Sequence, residues 1–248
     1  MSRLARLGTR LVDLILPRVC AACDRAIGPD EAELCEPCAA DLARLVGRPY
    51  CATCGTIARP YLLVDGRCTL CRAKKAAPLD RFVRVGPYEG ALRVLVLRFK
   101  REYVLDRFLG RLLGEAIEGA LDGGSVNAWV PIPSPFRRRL QRGYQPTALL
   151  ARAASRLGSV PVIRALRMAR YVAPFHRSMP ADARAQAIRG AFRVSRLASV
   201  RGRALGLIDD VSTTGATLRE ACRVLRGAGA TRIVAAIVAK TTLGDGRG

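Results

Sequence analysis

Eight cysteines in four Cys-x-x-Cys pairs constrain this chain more than any other feature. The pairs are Cys20/Cys23, Cys35/Cys38, Cys51/Cys54 and Cys68/Cys71, separated by eleven, twelve and thirteen residues. A two-residue spacer lets both thiolates of a pair reach one metal from a tight turn. Two such turns at the ends of a short hairpin complete a tetrahedron. Gly28 and Pro29 in the first loop, and Gly55 after the third pair, suit turns. Residues 1–72 carry few large apolar side chains to build a core. Structural zinc supplies about 10–16 kcal/mol of apparent binding free energy, which becomes folding energy. Two Zn2+ ions with four cysteines each are therefore expected, and both are structural because no coordination position stays open. Sequential pairing (20, 23, 35, 38 and 51, 54, 68, 71) is the expected arrangement; a cross-braced one has the same spacing. The rivals are a disulfide framework, which needs an oxidising compartment, and a single metal site with degenerate partners.

The N-terminus does not read as an export signal. Leu4, Leu7, Leu11, Leu14 and Ile15 recur at helical spacing between Arg3, Arg6 and Arg10, and Asp13 interrupts the apolar stretch. A short amphipathic helix and a cytoplasmic, reducing location are expected. No run reaches the eighteen or more apolar residues of a membrane span. Cys222, spaced with Leu218 and Leu225, reads as a small core residue rather than a nucleophile.

The formal charge is +22, from 42 basic and 20 acidic residues. Such a field favours polyanions: nucleic acid or phosphorylated metabolites. The charge is nearly all arginine and scattered along the chain, which genome composition alone can produce. The single histidine, His176, leaves little room for Ser-His-Asp or Cys-His chemistry.

Beyond a short linker at Arg72–Pro78, the texture of residues 79–248 alternates between strand and helix signals. Strands are expected around Phe82–Val85, Val126–Ile132, Val160–Ile163, Ala191–Val194, Ala204–Ile208 and Ile233–Ala239. Helices are expected at Ala91–Phe99, Val104–Leu121, Thr147–Leu157 and Ala216–Arg226. Arg167–Arg189 has little periodicity and reads as a mobile loop or lid. The alternation implies an α/β fold with a mainly parallel sheet flanked by helices, joined to a small N-terminal zinc module.

The segment from Arg203 to Thr217, RALGLIDDVSTTGAT, carries the chemistry. An apolar strand ends in Asp209 and Asp210, a hydroxyl-rich loop follows, and a helix begins. In a parallel sheet, ligands bind beyond the carboxyl ends of the strands. The loop Ser212–Ala216 can wrap its N–H groups around a phosphate, with hydroxyls from Ser212, Thr213, Thr214 and Thr217 and the positive helix end behind. Gly215 permits close approach. Two carboxylates beside a phosphate make sense if they accept hydrogen bonds from ribose hydroxyls or help hold Mg2+.

This segment resembles the phosphoribosyl-pyrophosphate (PRPP) motif of type I phosphoribosyltransferases. With the four CxxC pairs, the VPIP at 130–133, the RRRLQRGY at 137–144 and the RGAF at 189–192, the chain resembles the ComF family throughout. The resemblance implies a type I phosphoribosyltransferase-like fold behind a double zinc ribbon. It implies that Asp209 and Asp210 hold the ribose hydroxyls, and that 212–217 (Ser212, Thr213, Thr214, Gly215, Ala216, Thr217), after Val211, cradle the 5′-phosphate. Lys100 matches an expected lysine. Arg137, Arg138, Arg139 and Arg142 could pair with diphosphate or DNA phosphates. The implied partners are PRPP with Mg2+, single-stranded DNA, and a helicase of the DNA-uptake machinery. The chain departs from the family at Gln145-Pro146, where Asn-Gln is usual. His176 stands where the lid usually has Gln, and Ala187 where it has Asn. These changes touch the acceptor side, so transfer of ribosyl 5-phosphate, non-catalytic DNA binding and PRPP sensing all remain as readings.

Overall fold

A computed structural model describes residues 18–28, 32–73, 79–121, 126–173, 179–196 and 198–241. The expected N-terminal helix, Pro29, most of the linker, Gly123–Gly124 and His176 lie outside the described residues.

Four apolar runs form one fully parallel sheet: β1 (Arg81–Pro87), β2 (Ala128–Pro131), β5 (Ala204–Ser212) and β6 (Arg232–Lys240), in the order β1-β6-β5-β2. Parallel strands covered on both faces read as continuous apolar runs, and β6 is buried from Ile233 to Lys240. Alternate residues feed two cores. Ile208, Val234, Ala236 and Val238 pack on one side; Leu205, Leu207, Ile233, Ala235 and Ile237 pack on the other.

The first side is covered by α3 (Gly90–Phe99), α4 (Asp106–Leu121) and α6 (Pro146–Gly158). Helices α4 and α6 approach closely because α4 presents glycines. A Cβ on Gly110 would lie 2.1 Å from the Ala153 Cβ, and one on Gly114 would lie 2.1 Å from Leu157 Cδ1. The second side carries α8 (Ala216–Gly227), whose inner face is Leu218, Ala221, Cys222 and Leu225. Cys222 is a core residue, as its spacing indicates.

Three expectations change. β5 does not stop at Ile208 but runs through both aspartates to Ser212, because Asp209 and Val211 register against Ile237 and Ala239 of β6. Only a single bridge, Trp129 to Val162, forms where a strand was expected at 160–163. The 167–189 stretch is not wholly irregular. β3 (Leu166–Met168) pairs antiparallel with β4 (Phe192–Val194), and α7 (Ala181–Ile188) packs near α8. Three-residue strands and an alanine-rich eight-residue helix are too short to show a period.

The zinc-ribbon segment contains α1 (Glu36–Val46) and the short α2 (Thr69–Arg72). It shares the first core: Leu42 and Leu45 of α1 pack with Leu92, Leu95 and Val85. The Asp41 carboxylate accepts a hydrogen bond from the Ala91 N–H at 2.8 Å, satisfying an orphan donor in the first turn of α3. That bond, with Arg44 beside it, holds the Asp41 carboxyl below its usual range. Arg98 pairs with Asp24, and Arg48 with Glu89 at 2.9 Å. In the last part of the ribbon, a Cβ on Gly55 would lie 2.3 Å from the Phe82 ring. α5 (Phe136–Arg142) completes the described helices.

Two glycines of α4 should respond oppositely to alanine. Gly110→Ala should destabilise by about 1–3 kcal/mol through overpacking. Gly119→Ala meets nothing within 4 Å and should stabilise by about 0.5–1 kcal/mol through helix propensity. Urea midpoints at constant slope test this; a stabilised Gly110→Ala would contradict the packing.

Candidate functional site

The cysteines gather as two sequential quartets: Cys20, Cys23, Cys35 and Cys38, and Cys51, Cys54, Cys68 and Cys71. In each, the candidate ligand atoms lie within 4.8 Å of one another. A tetrahedron with Zn–S near 2.3 Å has S···S edges of about 3.8 Å. The Cys23–Cys35 and Cys54–Cys68 sulfurs stand 3.6 and 3.9 Å apart. Backbone N–H groups donate to the sulfurs as they would to thiolates: Ala22 to Cys20 at 3.4 Å, and Cys68 and Thr53 to Cys51 at 3.3 and 3.5 Å. Burial opposes the Cys20 thiolate, but N–H donors from Cys35, Ala22 and Cys23 outweigh it and bring the thiol down to about 6. Cys51 falls to about 7 by the same competition. The residues fit two structural Zn2+ ions, and the cross-braced arrangement is not the one adopted.

At the carboxyl ends of β2 and β5 lies a cavity of about 380 Å³. It brings together most of the candidate residues: Lys100, Arg138, Arg142 and the whole run Asp209, Asp210, Val211, Ser212, Thr213, Thr214, Gly215, Ala216, Thr217. Arg137 is not among them; its guanidinium lies 6.0 Å from the centre of the Tyr171 ring. Arg139 sits over Phe136.

The two aspartates are chemically unequal. Asp210 pairs with Lys100 Nζ at 3.0 Å and accepts from the Val211 N–H at 2.7 Å. Burial opposes its charge, but Lys100 outweighs burial and keeps the carboxyl below its usual range. Asp209 accepts from the Asp210 N–H at 2.9 Å. Burial, then the neighbouring Asp210 charge, pushes it well above the ordinary carboxylate value. Asp209 is thus the harder of the two to ionise and Asp210 the easier.

The loop after them leaves several polar groups unpaired. Gly215 takes φ +76°, a left-handed conformation that turns the chain into α8. Among the described residues, the N–H groups of Thr213, Thr214 and Gly215 have no acceptor within the protein. Ser212 is buried, and its Oγ lacks a hydrogen-bond partner. Buried polar groups are nearly always satisfied, so the Ser212 hydroxyl is an exception, and it lies beside the three part-exposed residues whose amides are unpaired. The loop's carbonyls are tied back by cations. Arg219 Nη1 donates to Thr214 O at 2.7 Å, and Lys240 Nζ donates to Thr213 O. Burial pulls the Lys240 ammonium down to about 8.

The facing wall is the turn after β2. Ile132 O accepts from Thr147 Oγ1 at 2.7 Å and Gln145 Nε2 at 3.1 Å, so Gln145 braces that turn. Tyr144 Oη donates to Phe99 O, next to Lys100. Met168, Val172, Ile188, Phe192 and Arg184 complete the cavity. Sequence reading missed Arg219, Lys240, Thr147 and Arg184. Only Arg219, four residues beyond Gly215 on α8, gave a local signal.

Residues 11–72 match the double zinc ribbon domain model. Competence protein F from Haemophilus influenzae is 31% identical, over 75% of this chain and 82% of that protein. DNA utilization protein YhgH from Escherichia coli K12 is 29% identical, over 89% and 96%. Weaker likenesses to solved structures also exist. A glutamine PRPP amidotransferase from B. subtilis is 22% identical with a TM-score of 0.36, over 52% of this chain and a quarter (25%) of that enzyme. A purine phosphoribosyltransferase from Pyrococcus horikoshii Ot3 is 15% identical with a TM-score of 0.33, over 54% and 74%. No described helix is long and apolar enough to cross a membrane.

Neutralising each aspartate should have opposite effects on stability. Asp210 has a folded-state pKa below its unfolded value, so its pairing stabilises above about pH 4 and is lost as pH falls below it. Asp209 has a raised folded-state pKa, so it costs stability as pH rises from about 4 through that raised value. At pH 8, Asp209→Asn should be at least as stable as wild type. Asp210→Asn should lose about 1–3 kcal/mol by leaving Lys100 unpaired. Denaturant titrations at pH 8 and pH 3.5 measure both; equal losses at pH 8 would refute the unequal pair.

Proposed function

This chain belongs to the competence protein F (ComF) family, and on that premise we propose that its cavity binds PRPP with Mg2+. The observation that carries this reading is the loop of unpartnered amides at Thr213, Thr214 and Gly215, in the cavity that also holds Asp210 and two arginines. The amides, the orphan Ser212 hydroxyl and the first turn of α8 receive the 5′-phosphate. Asp210, the more readily ionised of the pair, accepts a hydrogen bond from a ribose hydroxyl, and Asp209 accepts from the neighbouring one or, when protonated, donates to it. Arg138 and Arg142 face the diphosphate end.

The two quartets are the only groups of three or more potential metal ligands gathered among the described residues. Mg2+ therefore has no all-protein cage here and arrives with the diphosphate, as a reluctantly dehydrated hard cation commonly does. Bound there, it screens the diphosphate charge. If transfer occurs, an acceptor forms a bond to C1 of PRPP while the C1–O bond breaks. Pyrophosphate then leaves with that electron pair. The protein's part is positioning and charge neutralisation.

A second reading, single-stranded DNA handling, has its own observation. Phe136, Leu140 and Tyr171 are 67%, 72% and 59% exposed beside Arg137 and Arg139. Exposed aromatics among arginines can stack bases and follow a phosphate backbone.

Titration calorimetry with PRPP and Mg2+ tests the first reading. Wild type should bind, and Asp210→Ala and Gly215→Val should each weaken binding about tenfold or more, a loss of about 1.4 kcal/mol. No binding by folded, zinc-loaded wild type would overturn it. Pyrophosphate release with candidate acceptors then divides enzyme from sensor. For DNA, single-strand affinity should fall steeply with salt, and Phe136→Ala should weaken it; a flat salt slope would reject the second reading.

A further inference from the structure

The phosphate loop is braced from outside the cavity by Lys240, the last residue of β6. This lysine is 5% exposed, and its Nζ also reaches Thr241 O at 3.4 Å. A buried ammonium needs compensating charge. Among the described residues it makes no ion pair with a carboxylate. Burial weighs most against the ammonium; the Cys54 side of the second quartet favours it, and Arg84 and Arg219 oppose it. Four thiolates on one Zn2+ carry a formal charge of about −2. A loaded second quartet would keep a negative charge on the side that favours the ammonium.

The same quartet is seated mechanically on the sheet that carries Lys240. The Phe82 N–H donates to Ala52 O, between Cys51 and Cys54, at 2.6 Å. The Phe82 ring closes against Gly55. Phe82 lies in β1, which registers against β6 from Arg81 to Pro87, ending at Lys240. One rigid strand pair therefore links the cysteine turn to the lysine.

We propose that Lys240 is a positioning residue that couples metal occupancy of the second quartet to the shape of the phosphate loop. The loaded quartet fixes its turn on Phe82, β1 carries that seat to β6, Lys240 at the end of β6 holds Thr213 O, and the loop keeps its N–H groups free for phosphate. The inference rests on the PRPP reading above. Coupling between two sites is reciprocal, so a ligand on the loop must also stabilise metal in the second quartet.

The test follows alkylation of the zinc-loaded full chain by N-ethylmaleimide, read peptide by peptide by mass spectrometry, with calorimetry on the same samples. With saturating PRPP and Mg2+, Cys54 and Cys68 should react about fivefold more slowly or less. Cys23 and Cys38 of the first quartet should not change, which separates coupling from general stabilisation. Lys240→Met should bind PRPP about tenfold more weakly and show no protection at saturating ligand, with zinc content still two per chain; Lys240→Arg should restore part of both. Wild type that binds PRPP but leaves Cys54 equally reactive would overturn the coupling alone, without needing any variant to fold. Protection that persists in Lys240→Met would overturn it too. Wild type that fails to bind PRPP would remove the PRPP reading and this inference together.

Discussion

Two carboxylates placed side by side and largely away from water oppose each other's ionisation, and the site is organised around how this chain resolves that conflict. Lys100 at the end of α3 reaches Asp210 across the mouth of the sheet and fixes which acid ionises. The remaining acid, Asp209, is left the harder to ionise. Two acids of unequal acidity present a diol with two different hydrogen-bonding partners, which two equal acids would not. The position of Lys100 in turn depends on α3, and α3 begins where Asp41 of the zinc-ribbon segment receives the Ala91 N–H.

That dependence makes the ribbon more than an appendage. Its first quartet and α1 help build the core on one side of the sheet, against α3 and α4. The turn of its second quartet seats on Phe82, whose side chain belongs to the core of the other side. Metal binding in a segment with so little core of its own therefore also orders the frame that carries the cavity.

The parts of this organisation that are local in sequence could be read from it. Four CxxC pairs fix two metal sites because the ligands lie a few residues apart. The acidic pair, the TTG turn and the helix start occupy one continuous stretch. What escaped reading was set by distance or by competition. Lys240 meets Thr213 from 27 residues away, and Thr147 meets Ile132 from 15. Two aspartates inside a strand run against β propensity, and only pairing with β6 holds them extended. Arg137 and Arg138 are equivalent as letters, yet the turn of α5 sends one to Tyr171 and the other to the cavity.

Trp129 is the chain's single tryptophan, and β2 lays its ring over Gly206, where a Cβ would lie 2.1 Å from it. The indole is 3% exposed and its Nε1 has no hydrogen-bond partner among the described residues. The molecule therefore carries one tryptophan fluorophore, buried at the β2–β5 seam, two residues from Pro131 where the cavity turn begins. Its ring belongs to the same buried core as Cys20 and Cys35 of the first quartet. Loss of metal becomes visible in that light only when it has travelled through the shared core to the sheet.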